Sequence, residues 1–367
     1  MKIKKKYRLL FYFLFSILFF ASFVFNKTHL KTEGTLHHGM GPFKQLIIRG
    51  VTLIDGTGGP PIGPYDVVIE GNRIAEVRRL GYPGVKIPDE IRPKNAEYEI
   101  DAHGMFMLPG LISTHTHLGV PALDIPVEYI YKLMLGHGVT TIREPGSNNG
   151  IDWTLKERDR STKNEIVAPR IFVYIRAKKW NSVNPLKTPE KAREWVREVA
   201  KKGIDGLKLG AHDPDIMAAL IDEAKKHGLG TMAHLDRHGL MRMNTLDAAR
   251  LGLGTAVHVL GLFESLFEKR TIPDLPPDYR PNIYNTRLYE TGRLWRQAAK
   301  QGSKKWNDVM TELLQSGIVL EPTFVPYNIC RDVSKAHNAV WHEEYTLPVL
   351  LDFWKPSPSS HFTFYSD

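Results

Sequence analysis

Leu108-Pro109-Gly110-Leu111-Ile112-Ser113-Thr114-His115-Thr116-His117 is the stretch on which the reading of this chain turns. It opens on a Pro-Gly turn, continues through apolar residues and ends in two histidines one residue apart. Side chains in a strand alternate with period two, so His115 and His117 point to the same side. Two imidazoles projected together from a rigid strand can grip one borderline-soft metal ion. The competing reading is a pair of ordinary polar histidines near a strand end.

On the C-terminal side, strand and helix patterns alternate. Residues 127–135 read as a helix stopping near Gly136 and Gly138, and 139–143 as a β-branched strand. Residues 170–175 form the next strand. The 189–202 helix is capped by Thr188, has proline in its first turn and is followed by Gly203. Strands over 204–209, 229–233 and 255–259 then alternate with helices over 214–227 and 245–251. This rhythm predicts an α/β fold built on a parallel sheet. Residues 260–306 interrupt it with a Pro-rich insertion, read either as a lid on the active-site side or as a surface loop. A helix over 306–315 and a strand over 318–323 follow.

On the N-terminal side the pattern is short strands: strand, turn and strand over 45–56, a hairpin over 65–77, and a strand over 97–101. They predict a small β part before the histidines. The expected organisation is therefore a basic, apolar leader (1–25), a tether (26–43), a partial β-sandwich (44–108) and a barrel (109–367).

Composition narrows the classes. Hydrophobic residues are 42% and charged residues 24% of the 367, as in globular proteins. The single cysteine, Cys330, excludes an internal disulfide framework and a Cys-rich zinc site. The formal charge is +9, but Lys2, Lys4, Lys5, Lys6 and Arg8 supply much of it, so no nucleic-acid partner is expected. Behind those cations, residues 9–25 are apolar or small throughout. This segment reads as a secretory signal or a short membrane anchor, with the body on the extracytoplasmic side. A membrane is therefore expected as a partner through the N-terminal segment. The oligomeric state stays open, a homo-oligomer included.

In a βα barrel, chemistry sits where strands end in loops. His115 and His117 close the first barrel strand, Lys208 lies inside Gly206-Leu207-Lys208-Leu209-Gly210, His234 follows Thr231-Met232-Ala233, and His258 lies in Ala256-Val257-His258-Val259. A lysine in an apolar strand is costly unless neutral, paired or modified. Carboxylation by carbon dioxide would make Lys208 an anionic oxygen ligand able to bridge two cations. One divalent ion, Zn2+ by ligand type, would take His115, His117 and N6-carboxylated Lys208. A second would take Lys208, His234 and His258, with a shared hydroxide as nucleophile. Against this, a lone histidine at a strand end such as His234 or His258 is more often a satisfied core or rim residue, and Lys208 also reads as a side chain snorkelling to the mouth.

These residues resemble those of the amidohydrolase superfamily of metal-dependent hydrolases, in particular its imidazolonepropionase- and prolidase-like branch with a carboxylated lysine. The similar text begins at Ile47-Ile48-Arg49-Gly50-Val51-Thr52-Leu53-Ile54-Asp55-Gly56. It passes through Ile100-Asp101-Ala102-His103-Gly104, Leu108-Pro109-Gly110-Leu111-Ile112 and His115-Thr116-His117. It continues in Gly138-Val139-Thr140-Thr141-Ile142-Arg143-Glu144-Pro145-Gly146, with Lys208, His234 and His258 matching the ligands of strands four, five and six. The resemblance implies a distorted TIM (β/α)8 barrel with a small β-sandwich, and hydrolysis of amide or other carbon–nitrogen bonds. It also implies an aspartate where Ser113 stands and a last strand carrying a catalytic aspartate. Neither is found: the change at Ser113 concerns a second-layer position, and the missing last strand makes the barrel expected to be incomplete at its C-terminal end and the chain truncated. The expected substrate is a peptide-like or N-acyl amide, with Arg143, Tyr174, Arg176 and His238 as substrate-side candidates. The alternatives are a cyclic-amide hydrolase or deaminase, and an inactive vestigial protein that binds a partner.

Overall fold

A computed structural model describes residues 39–119, 123–177, 186–210, 212–235, 243–268, 295–353 and 355. Two sheets organise them, both inside one compact unit, Phe43–Asp367.

The first sheet contains β1 (Gln45–Leu53), β2 (Ile62–Glu70), β3 (Arg73–Arg79), β4 (Tyr98–Asp101) and β5 (Phe106–Met107). Its order is β3-β2-β1-β4, and β5 also pairs with β1. β2 and β3 form the expected hairpin, antiparallel through Glu70↔Arg73. The strand-turn-strand expected over 45–56 is instead one strand with a bulge. Its register with β2 shifts between Ile48 and Val51. Gly50 makes the bulge with φ of +74°, and the His103 ring occupies the place where a Cβ would stand. Val51, Val67 and Ala102 form the small core of this sheet.

The second sheet runs in strict sequence order. Its strands are β6 (Leu111–Ser113), β7 (Val139–Pro145), β8 (Arg170–Arg176), β9 (Gly206–Leu209), β10 (Gly230–Ala233), β11 (Thr255–Val257) and β12 (Val319–Glu321), and each pairs in parallel with the next. The sheet curls through 267° and stays open between β12 and β6. This is the parallel sheet that the alternation predicts, curled into the distorted, incomplete barrel that the resemblance implies.

Helices link the strands: α1 (Val127–Gly136), α2 (Ile151–Thr162), α3 (Pro189–Ala200), α4 (Pro214–Lys226), α5 (Thr245–Arg250), then α6 (Leu262–Ser265) and α7 (Lys304–Ser316) before β12. α8 (Phe324–Arg331), α9 (Val333–His337), α10 (His342–Tyr345) and α11 (Pro348–Phe353) follow. The Thr188 cap forms as expected: its side chain accepts from Lys191 N. The inner faces of α3 and α4 pack with β7–β10 in the main core, around Val173, Val196, Leu207, Leu209, Met217 and Leu220. Burial of such side chains contributes roughly 1.5–3 kcal/mol each.

One set of expectations is corrected. Against the expected membrane partner and the anchored or exported location stands one finding: no helix among the described residues is long and apolar enough to cross a membrane. The apolar run over 9–25 on which they rested, with most of the tether, lies outside the described residues, as do positions 269–294 of the insertion.

Candidate metal centre

The C-terminal ends of the barrel strands gather the singled-out residues. β6 ends at Ser113, so His115 and His117 stand in the turn beyond it rather than in the strand. Lys208 lies inside β9, only 8% exposed. His234 directly follows β10. β11 stops at Val257 because His258 takes φ of +66°, a left-handed conformation that few non-glycine residues adopt.

The four imidazoles form a chain. Ring centres of His117 and His115 are 5.3 Å apart, those of His115 and His258 5.3 Å, and those of His258 and His234 4.6 Å. Lys208 Nζ lies 3.4 Å from His115 Nε2. Four segments far apart in sequence therefore meet at one mouth.

Acceptors behind the rings orient three of the four. His115 Nδ1 is 2.7 Å from Glu321 Oε1, and His117 Nδ1 is 2.9 Å from Glu144 Oε1. A carboxylate only accepts, so each imidazole carries its proton on Nδ1. His258 Nδ1 is 2.6 Å from Thr323 Oγ1. The Thr323 hydroxyl donates its single proton to Pro322 O at 2.7 Å, so it too accepts from the ring. Nε2 is thereby left with a lone pair in His115, His117 and His258. That is the tautomer a nitrogen ligand needs, with an acceptor behind it fixing the ring.

Neither carboxylate was singled out in the sequence. Glu144, on β7, is fully buried and also accepts from Leu118 N. Glu321 ends β12 and holds Arg143 with its second oxygen. The cost argument that singles out Lys208 applies equally to a buried glutamate within Val139–Pro145, or within Val319–Glu321.

Electrostatics favours neutral nitrogen here. Burial, reinforced by Arg176 and Arg143, pulls the Lys208 amine down to about 7. Burial and the neighbouring Lys208 bring His258 to about 3. Burial also lowers His115, opposed by its bond to Glu321. For Glu321, burial pushes upward, but hydrogen bonds from His115 and Thr114 and the charge of Arg143 hold it below the ordinary carboxylate range. Neutral imidazoles and a readily neutral amine are the protonation states metal ligation requires.

Among the described residues, no three His, Cys, Asp or Glu side chains converge closely enough to hold a metal ion. The histidines pair off along the chain of rings instead. The donor set nonetheless fits a divalent ion in type: lone pairs on Nε2, acceptors behind the rings, and a buried amine between them.

The substrate-side candidates separate. Arg143 donates from Nε to Thr114 O at 2.7 Å as well as to Glu321, and lies 5.1 Å over the Tyr174 ring. Tyr174 fills the space left by Gly206 and Gly230, where a Cβ would come within 2.4 Å and 2.0 Å of its atoms. Arg176 is exposed, and its stem crosses Gly146, where a Cβ would lie 2.3 Å from its Cγ. His238 lies outside the described residues. His212 is buried nearby in sequence, just beyond β9.

Comparison with known proteins bears out the architecture. No family model matches the chain. A solved amidohydrolase superposes with a TM-score of 0.52 at 17% identity, covering 83% of this chain and 72% of that one. A candidate prolidase from Bifidobacterium longum superposes with a TM-score of 0.51 at 20% identity, covering 83% and 79%. The chain thus shares the fold of these solved structures. Local similarity reaches a 5'-deoxyadenosine deaminase of Methanothrix thermoacetophila, 37% identical over 78 residues, 21% of this chain and 16% of that protein. It also reaches an N-acyl-D-aspartate deacylase of Alcaligenes xylosoxydans xylosoxydans, 36% identical over 98 residues, 26% of this chain and 16% of that protein. The matched stretches thus span about a sixth of these relatives' length.

Proposed function

We propose that this chain hydrolyses a carbon–nitrogen bond of a peptide-like or N-acyl amide with the help of two divalent ions, Zn2+ by ligand type. In this reading His115, His117 and carboxylated Lys208 hold one ion, and Lys208, His234 and His258 the other. Each ion then has two histidines and a share of the lysine, an arrangement that needs no three His, Cys, Asp or Glu in one cluster. The single observation that carries the reading is the set of three imidazoles whose Nδ1 atoms face Glu321, Glu144 and Thr323. Bound there, such ions polarise a carbonyl and lower the pKa of water.

The chain's own residues divide the remaining tasks. Glu321, Glu144 and Thr323 hold the rings. Lys208, readily neutral in its buried setting, can attack carbon dioxide through Nζ, forming a carbamate and releasing one proton. The exposed guanidinium of Arg176 is available to a substrate carboxylate. Arg143 and Tyr174 support the mouth from within.

Hydrolytic deamination of a cyclic substrate is the second reading. The stretch shared with a 5'-deoxyadenosine deaminase favours it, as does one shared with the Bacillus subtilis adenine deaminase, 35% identical over 83 residues.

Metal content of the full chain, wild type beside Lys208→Ala, tests the assignment. The variant is expected to lose both the bridged pair and activity, and equal metal content would overturn the site. Dipeptides, N-acyl amino acids, cyclic imides and adenine nucleosides then separate the two chemistries. Ammonia released from the nucleosides selects the second reading, and no turnover of any of them by metal-loaded protein overturns both.

A further inference from the structure

We infer that Glu321 is a positioning residue that fixes the proton of His115 on Nδ1 and, through the same carboxylate, fastens the two free edges of the barrel across its mouth. The consequence for metal rests on the reading above, whereas the proton's position does not.

The geometry is specific. β6 and β12 are the two edges of the open sheet. Leu111 and Ile112 on one, and Val319 and Leu320 on the other, are exposed. Glu321 is the last residue of β12, and its Oε1 reaches His115, two residues beyond the end of β6, across 206 positions of sequence. Its Oε2 takes Arg143 of β7, which in turn donates to Thr114 O. One carboxylate therefore holds the turn after β6 both directly and through the neighbouring strand. Backbone bonds frame the same contact: His258 N donates to Glu321 O at 2.7 Å, and Thr116 N to Arg143 O at 3.0 Å.

The partners' chemistry makes the isosteric amide informative. A guanidinium has donors only, so the group facing Arg143 must remain an oxygen. In Glu321→Gln the amide oxygen stays with Arg143 and the NH2 turns to His115. Two donors cannot face each other, so the ring must present a lone pair at Nδ1 and carry its proton on Nε2. Nε2 is the atom 3.4 Å from Lys208 Nζ, on the side of the candidate centre. The substitution thus blocks a ligand without removing a side chain. A residue that merely buttressed the edges would change stability and leave the ring's proton in place.

The test is a long-range 1H–15N correlation on the full chain, metal-free and 15N-labelled at histidine, at a mildly alkaline pH that keeps the imidazoles neutral. His115 is expected as the Nδ1–H tautomer in wild type and as Nε2–H in Glu321→Gln. An Nε2–H tautomer in wild type overturns the inference with no variant needed, and an unchanged tautomer in the variant overturns it as well. Zn2+ titration follows. Weakening by roughly 10–100-fold is expected in the variant, and equal affinity despite a switched tautomer overturns the link to metal. A switched tautomer in a protein whose wild type binds no Zn2+ leaves the inference standing and removes the functional reading instead. Amide exchange at Thr116 and His258 reports the fastening: it is expected to quicken in Glu321→Ala, and unchanged protection there overturns that half.

Discussion

Two buried carboxylate sites, one in each sheet, look alike and hold different partners. In the five-stranded sheet Asp66 is fully buried. It accepts from Gly50 N at 2.9 Å and from Arg49 at 2.8 Å, with Arg92 at 3.4 Å. In the barrel Glu144 is equally buried, and Glu321 nearly so. The difference is the donor. Guanidinium and backbone N–H groups only donate, so holding one of them fixes no lone pair elsewhere. With an imidazole it does: fixing a proton on one nitrogen fixes a lone pair on the other. Burial of a carboxylate alone therefore does not tell the two sites apart, whereas pairing with a ring that passes the constraint onward does.

The largest effect expected lies on the structural side. Asp66→Ala takes the buried acceptor from Gly50 N and from the Arg92 guanidinium, while Arg49 keeps Glu99 and Pro93 O, and should cost about 3 kcal/mol, read from denaturant unfolding. Zn2+ affinity of the folded fraction should not move. A change in affinity without a loss of stability would reverse the comparison. Next comes Glu144→Gln, nearly isosteric. Its amide oxygen can keep Leu118 N while the NH2 faces His117, so Zn2+ binding should weaken about 10–100-fold, roughly 1.4–2.8 kcal/mol. Competition against a chelator measures it. Wild-type affinity in that variant would make Glu144 a second Asp66.

Most of the barrel is readable from residue order. Short apolar runs alternate with capped, amphipathic helices, and such a pattern has few alternatives to a parallel sheet. α2 is the exception: Ile151, Trp153 and Leu155 pack on the core only partly buried, its buried positions are Thr154 and Glu157, and the apolar pattern stops after its first turns. The bulge at Gly50 reads as a turn because glycine suits both, and only pairing with β2 decides. In the site, His115, His117, Lys208, His234 and His258 are visible because such side chains are unusual at successive strand ends. Glu144 and Glu321 show only through the cost of a carboxylate inside an apolar strand, and Thr323 does not show. Glutamate and threonine at strand ends are commonplace, and nothing local in Val319-Leu320-Glu321-Pro322-Thr323 reveals that a histidine 206 residues away supplies the proton.

The smallest effect sharpens the point at the third ring. Thr323 has φ of +52° and His258 φ of +66°, so two non-glycine residues in left-handed conformation are joined by one hydrogen bond. A β-branched residue is a poor choice there on backbone grounds. Its hydroxyl supplies what a glycine or a valine lacks, an acceptor for His258 Nδ1. Thr323→Val keeps the shape and the strain while removing that acceptor, and should cost about 1 kcal/mol. Thr323→Ser keeps the acceptor and eases the branching, and should cost nothing. Equal denaturation midpoints for the two variants would mean that the hydroxyl does not hold the ring. A lower midpoint for Val alone would give the third imidazole the same kind of anchor as the first two, supplied by a hydroxyl instead of a carboxylate.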